Sequence, residues 1–164
     1  MYYLQDNTME SNLIESRKQQ IKQLADLMIA NEDGSTIVGN GKDIVREAPG
    51  VTISHEFADS IYLRRMDLKK DNLVVGAIHK HLHIWFLLEG HVTIAKKEGV
   101  EDYIAPCYVV SSPGDQRVIF ANEDSIFVNI HKNPTNTKDI DEIEKNIVAM
   151  NQKEFQEYIK NKKI

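Results

Sequence analysis

Between Val51 and Ile130 the chain repeats one pattern, a short run rich in Val, Ile, Phe and Tyr followed by a turn. The runs are Val51–Ser54, Ile61–Met66, Leu73–Ile78, Ile84–Leu88, Val92–Lys96, Tyr103–Ile104, Tyr108–Ser111, Arg117–Ala121 and Ser125–Ile130. β-Branched and aromatic residues suit a pleated, half-buried surface, so each run is read as a strand. Glu89-Gly90 and Lys97-Glu98-Gly99 read as hairpin turns, and Pro113-Gly114-Asp115 as a further turn. Many short strands at regular spacing imply a sandwich or a barrel.

The flanks follow a different period. Ile14, Ile21, Leu24, Ala25 and Met28 recur at helical spacing, which predicts a helix over residues 9–31 ending in Asn31–Gly34. A glycine-bearing loop follows, with one short helical turn around Ile44. After the strands, Thr137–Asp139 precedes Ile140, Ile143 and Ile147, a helix start with Glu142 placed to complement it. Phe155, Tyr158 and Ile159 predict a last short helix. The layout is therefore an N-terminal helix and loop over residues 1–50, a β-barrel over 51–133 and a helical tail over 134–164. Strand edges and helix stripes need cover, so a homodimer is expected.

A chain of 164 residues is long enough to bury a core without disulfides. Cys107 is the sole cysteine, which excludes an intrachain disulfide and a Cys-rich zinc knuckle and suits a reducing compartment. The net charge of −5 opposes binding to nucleic acid. No run of 18 apolar residues is present, so no membrane helix is expected. MYYLQDNTMES lacks the basic start and apolar run of a signal peptide, which makes the cytoplasm the expected location.

Three of six histidines fall within five residues, in IHKHLHIWFLLEGHVTI. Along a continuous strand, alternate side chains share a face, so His79, His81 and His83 would form a row with Trp85 and Leu87 beyond. Neutral imidazole is a ligand for Zn, Fe, Ni, Cu or Mn. The plainer alternative is two solvated histidines at a strand end and one hydrogen-bonded in the core. His131 ends the last strand in VNIH and can reach the barrel mouth. His55 and His91 are read as surface residues.

Arg117, after the Pro113 turn, is a candidate for binding a carboxylate or phosphate, against a surface arginine paired with Asp115 or Glu123. Trp85 shares a face with His83, so it either lines a pocket or fills the core. Glu89 is set aside as a turn residue, and Cys107 is read as a small buried side chain. No Gly-rich phosphate loop is visible.

Residues 60 to 131 resemble the cupin family. Anchored on Gly90, the family's first motif puts its second histidine on His79 and its glutamate on His83. Its first histidine falls on Ala77 and its opening glycine near Asp71. Anchored on Pro113, the second motif ends on Asn122, as in the family. There Cys107, Asp115 and Val118 stand where the family has glycine, glycine and histidine. The 16 residues between Gly90 and Cys107 fit small microbial cupins. The run from Ile78-His79 to His83, SSPGDQRVIF, and VNIH before an acidic helix are similar to small cupin-like proteins of bacteriophages, which implies a viral or prophage origin and a host-cytoplasm location.

The resemblance implies a mainly β fold: one cupin-type barrel, or jelly roll, with an N-terminal helix and C-terminal helices. It implies a divalent metal (Zn, Fe, Mn or Ni). Since Ala77 and Val118 cannot ligate, His81, in a turn between strands, or His131 would complete a set with His79 and His83. A small-molecule ligand would contact Trp85 and Arg117. A non-catalytic accessory module, sequestering a small molecule such as a nucleotide beside a degenerate metal site, is the alternative. A metal-free epimerase or isomerase with a histidine base is a third. Fold alone does not choose among them.

Overall fold

The computed structural model describes residues 3–30, 47–149 and 151–162. The helix stop at Asn31–Gly34 and the turn around Ile44 lie outside the described residues. The elements run α1 (Tyr3–Ala30), β1 (Glu47–Ala48), β2 (Val51–Ala58), β3 (Ile61–Leu68), β4 (Leu73–Val75), β5 (Ile78–His79), β6 (His83–Glu89), β7 (His91–Lys96), β8 (Gly99–Ile104), β9 (Cys107–Ser111), β10 (Val118–Ala121), β11 (Ser125–Lys132), α2 (Ile140–Ile147), β12 (Val148–Ala149) and α3 (Gln152–Lys162).

All strand pairs are antiparallel. A six-stranded sheet, β1-β2-β3-β11-β6-β9, faces a four-stranded sheet, β4-β10-β7-β8. The mainly β, two-sheet fold expected from the strand pattern, with helices at both ends, is what forms. The core lies between the sheets and contains Val51, Met66, Leu68, Trp85, Leu87, Val92, Ile94, Ile119 and Phe127. Each such side chain contributes about 1.5–3 kcal/mol on burial. β6 shows the alternation plainly: His83, Trp85 and Leu87 are buried, whereas Ile84 and Leu88 are exposed.

Two local readings are corrected. Glu89-Gly90 does not close a hairpin, because β6 and β7 lie in different sheets. Gly90 turns the chain from one sheet to the other at φ +84°, and a Cβ there would sit 2.3 Å from the Asp124 carbonyl oxygen. The run Leu73–Ile78 is not one strand either. It breaks at Gly76-Ala77, and β5 leaves β4's sheet to pair with β12.

The helices cover separate surfaces. α1 sets Ile21, Ala25 and Met28 against Val75 and Val118 on the four-stranded sheet. α2 starts at Asp139, whose side chain accepts from the Asp141 and Glu142 amides, the standard cap for otherwise unpaired N–H groups. Ile143 and Ile147 then pack on Tyr62. α3 buries Phe155 beside Ile78 and Ala149. Gly114, at φ +86°, lies so close to Phe155 that a Cβ would meet its ring at 2.7 Å. No described helix is long and apolar enough to cross a membrane, which says nothing of spanning by strands.

Candidate metal centre

The site forms at the end of the barrel that the C-terminal helices approach. Its first histidine, His79, is held on both flanks. Val148 pairs with it from β12, and on the other side the Gly114 amide donates to its carbonyl at 2.8 Å. His83 begins β6 on the same inward face as Trp85. His131 is paired with Tyr62 and follows Phe127 and Asn129 in inward alternation along β11. All three histidines are buried, and one nitrogen of each can be chosen so that the three lie within 4.8 Å of one another. Their rings stack, with centroids 4.0 Å apart for His79 and His83, 4.8 Å for His83 and His131 and 5.3 Å for His79 and His131.

Burial, followed by the charge of Arg117, holds His79 well below the ordinary imidazole value. The same two causes bring His83 down to about 4. Burial and then His83 bring His131 down to about 2. All three are therefore neutral at pH 7 and keep the lone pair a metal needs.

Hydrogen bonds fix the state of His83. Its Nδ1–H donates to the His81 carbonyl at 3.3 Å, so Nε2 carries the lone pair and accepts from Arg117 Nη2 at 3.1 Å. His79 Nδ1 is buried with no hydrogen-bond partner. An unpartnered buried nitrogen beside two further neutral imidazoles fits a divalent ion. With metal–nitrogen bonds of about 2.0–2.1 Å, tetrahedral ligands lie roughly 3.3 Å apart, so the set must draw together around an ion. Arg117 must also yield the His83 lone pair.

Arg117 is buried, which overturns the surface-arginine reading. The Gly76 amide donates to its carbonyl at 2.8 Å and fixes its backbone. Its guanidinium lies over the rings of Trp85 and Phe127, at 5.8 and 5.9 Å. Burial lowers its pKa to about 10, and it stays charged at neutral pH. A cavity of about 60 Å³ opens beside these groups, lined by Arg64, His79, Arg117, Asn129 and His131 and by apolar residues including Ile53, Met66, Ile119, Ile147 and Val148.

Two expected site residues fall elsewhere. His81 is not in a row with His79 and His83, because the chain turns between β5 and β6. Its Nε2–H donates to the Asn146 carbonyl at 3.0 Å, and the Tyr158 hydroxyl donates to its Nδ1 at 3.2 Å. Both nitrogens are thus engaged, and the ring serves to clamp the turn to the C-terminal helices. Lys80 Nζ does the same, donating to the Lys145 carbonyl and to Glu154. Trp85 does not line the cavity. It stacks on Phe127 with centroids 4.7 Å apart and lies edge-on to Tyr103, below the guanidinium of Arg117.

Three residues were missed. Arg64 faces inward between Tyr62 and Met66 on β3 and pairs at 3.3 Å with buried Glu144 of α2. Asn129 lies between Phe127 and His131, and its Oδ1 is 3.5 Å from Arg117 Nη2. The alternation of their strands gave a signal for Arg64 and Asn129. Nothing local marked Glu144.

No protein-family model matches the sequence, and no curated protein matches it significantly. Solved structures of similar shape include three enzymes or barrels. Salicylate 1,2-dioxygenase from Pseudaminobacter salicylatoxidans is 10% identical with a TM-score of 0.48, over 54% of this chain and 28% of that one. An RmlC-like cupin from Shewanella frigidimarina is 13% identical with a TM-score of 0.46, over 56% and 80%. An acetylacetone dioxygenase from Acinetobacter johnsonii is 20% identical with a TM-score of 0.41, over 51% and 60%. The match thus spans little more than a quarter of the salicylate enzyme's length. At these scores the likeness assigns no activity.

Proposed function

We propose that this chain is a cupin-type protein that holds a divalent metal on His79, His83 and His131 and presents it to a small molecule in the adjoining cavity. The supporting observation is the cluster itself: three buried, neutral imidazoles with nitrogens within 4.8 Å, one of them unpartnered. A metal with three neutral ligands and open positions supplies Lewis acidity or an activated water. This chain's own contribution is to fix the His83 tautomer, to keep the site largely dry and to place a guanidinium beside it. Metal content decides the proposal. Protein purified without a nickel column and equilibrated anaerobically with Zn, Fe or Mn should hold one ion per chain. His79→Ala and His131→Ala should each reduce it at least tenfold. A wild type that retains no ion ends this reading.

One observation favours a second reading, a non-catalytic binding module with a degenerate centre. Arg117 occupies the His83 lone pair, so the guanidinium stands as the cation where a metal would be. Under that reading no ion is retained, yet the cavity still binds its ligand. A viral origin would suit such an accessory role.

We further infer a homodimer through the outer face of β6 and β9. Ile84, Leu88, Tyr108 and Val110 are 39%, 49%, 67% and 53% exposed on one side of this sheet. β9 is an edge strand, and its outward Tyr108 and Val110 continue the apolar face of β6, which a second copy can cover by packing against it. Light scattering should give about twice the 18.8 kDa chain mass, and Val110→Lys should halve it. A wild-type mass of one chain at micromolar concentration overturns the dimer.

A further inference from the structure

The charge balance of the cavity names the chemistry of its occupant. Arg64 has a counterion in Glu144 at 3.3 Å. Arg117 has none: among the described residues no carboxylate forms an ion pair with it. Asp115, the acid whose charge most favours its cation, makes its own contacts elsewhere, accepting from Ser111 Oγ and the Ser112 amide and pairing with Lys97. The polar contacts of Arg117 are to neutral groups, His83 and Asn129. Its side chain is only 4% exposed, and its Nη1 is buried without any acceptor.

A buried cation without a counterion is unfavourable unless something supplies the anion. The three histidines are neutral and offer no compensation. A divalent ion on them would raise the positive charge further, because the donor set has no carboxylate. The remaining lining is not polar all round, as a phosphate would require. Ile53, Met66, Ile119 and Val148 give the lining apolar side chains beside its cationic groups. A volume of about 60 Å³ leaves room for only a few non-hydrogen atoms.

We propose that the cavity binds a short-chain carboxylate, its carboxylate group taken by Arg117 and its hydrocarbon body by the apolar side chains of the lining. The planar fork of a guanidinium matches a carboxylate, and its neutral contacts to His83 and Asn129 exchange readily for a charge-assisted one. This proposal rests on the cavity being a ligand site, as under both readings above, and not on the metal.

The test is calorimetric titration of the full chain with monocarboxylates from acetate to pentanoate, with their amides and with inorganic phosphate. Each is added to wild-type, Arg117→Lys and Arg117→Gln protein, metal-loaded and after chelation. At least one acid should bind saturably and at least tenfold tighter than its amide. Arg117→Gln should remove that difference, and Arg117→Lys should keep part of it. Should Arg117→Gln fail to fold, the wild-type acid–amide comparison still decides. Equal binding of acid and amide, preference for phosphate, or no saturable binding of any acid overturns the proposal. A chain that holds no metal yet keeps the acid–amide difference loses the metal reading and retains this one.

Discussion

Two parts of one barrel interior differ in what fills them. Around Leu87, Val92 and Ile94 the space between the sheets is apolar and filled by buried side chains. Around His79, His83, His131 and Arg117, on some of the same strands, buried polar groups stand among apolar ones and a cavity opens. β11 crosses from one part to the other within five residues, from Phe127 through Asn129 to His131. β6 does so in the reverse sense, from His83 to Leu87. Alternation alone sets which side chains enter the barrel, and their identity sets what the interior does. The apolar part supplies stability through burial, whereas the polar part gives up some stability to keep neutral imidazoles and an uncompensated guanidinium in place.

Acid should divide the two parts most sharply. Unfolded histidines titrate near 6.5, whereas the folded cluster titrates far lower. Between those values the unfolded chain binds more protons, so stability falls as pH drops below about 6.5. Each histidine contributes a limiting slope of about 1.4 kcal/mol per pH unit, so lowering the pH from 7 to 5 should remove up to about 6 kcal/mol from chelator-treated protein. Urea titrations at each pH measure this, and His131→Gln should reduce the slope by about one third. A flat profile from pH 7 to 5 would mean that the histidines are not neutral and buried together.

Trp85→Ala attacks the apolar part. Loss of the ring packed on Phe127 and Tyr103 should cost about 3–5 kcal/mol. Whatever protein remains folded should still bind metal, since the indole is not a ligand. Glu144→Ala tests the polar part from its α2 side. It strands Arg64 and should cost about 3 kcal/mol, with Glu144→Gln intermediate by thermal melting. His81→Ala should be the mildest, about 1 kcal/mol for the lost clamp and no change in metal content. A large loss of metal with His81→Ala would return that ring to the site.

The barrel was legible in the sequence because period-two alternation survives in the strands. It placed His83, Trp85 and Leu87 on one face, and VNIH pointed His131 toward the mouth. Periodicity gives a face and not a depth, so it left Trp85 between pocket and core, and the ring lies in the core beneath Arg117. The row of three histidines failed at the turn between β5 and β6. That turn is held by Lys145, Asn146, Glu154 and Tyr158, residues 65 to 77 positions away, and no local pattern encodes them. Glu144, 80 positions from its partner Arg64, was hidden for the same reason. The β12 strand was too short to stand out from the helical stretch around it.

X-ray absorption on zinc-loaded protein tests the centre most directly, because imidazole ligands give a recognisable scattering pattern. The expected spectrum shows three imidazole nitrogens at about 2.0–2.1 Å in the wild type and two in His131→Ala. A wild-type spectrum with oxygen ligands alone, or one unaltered by substituting His79, His83 or His131, would contradict a metal centre on these three histidines.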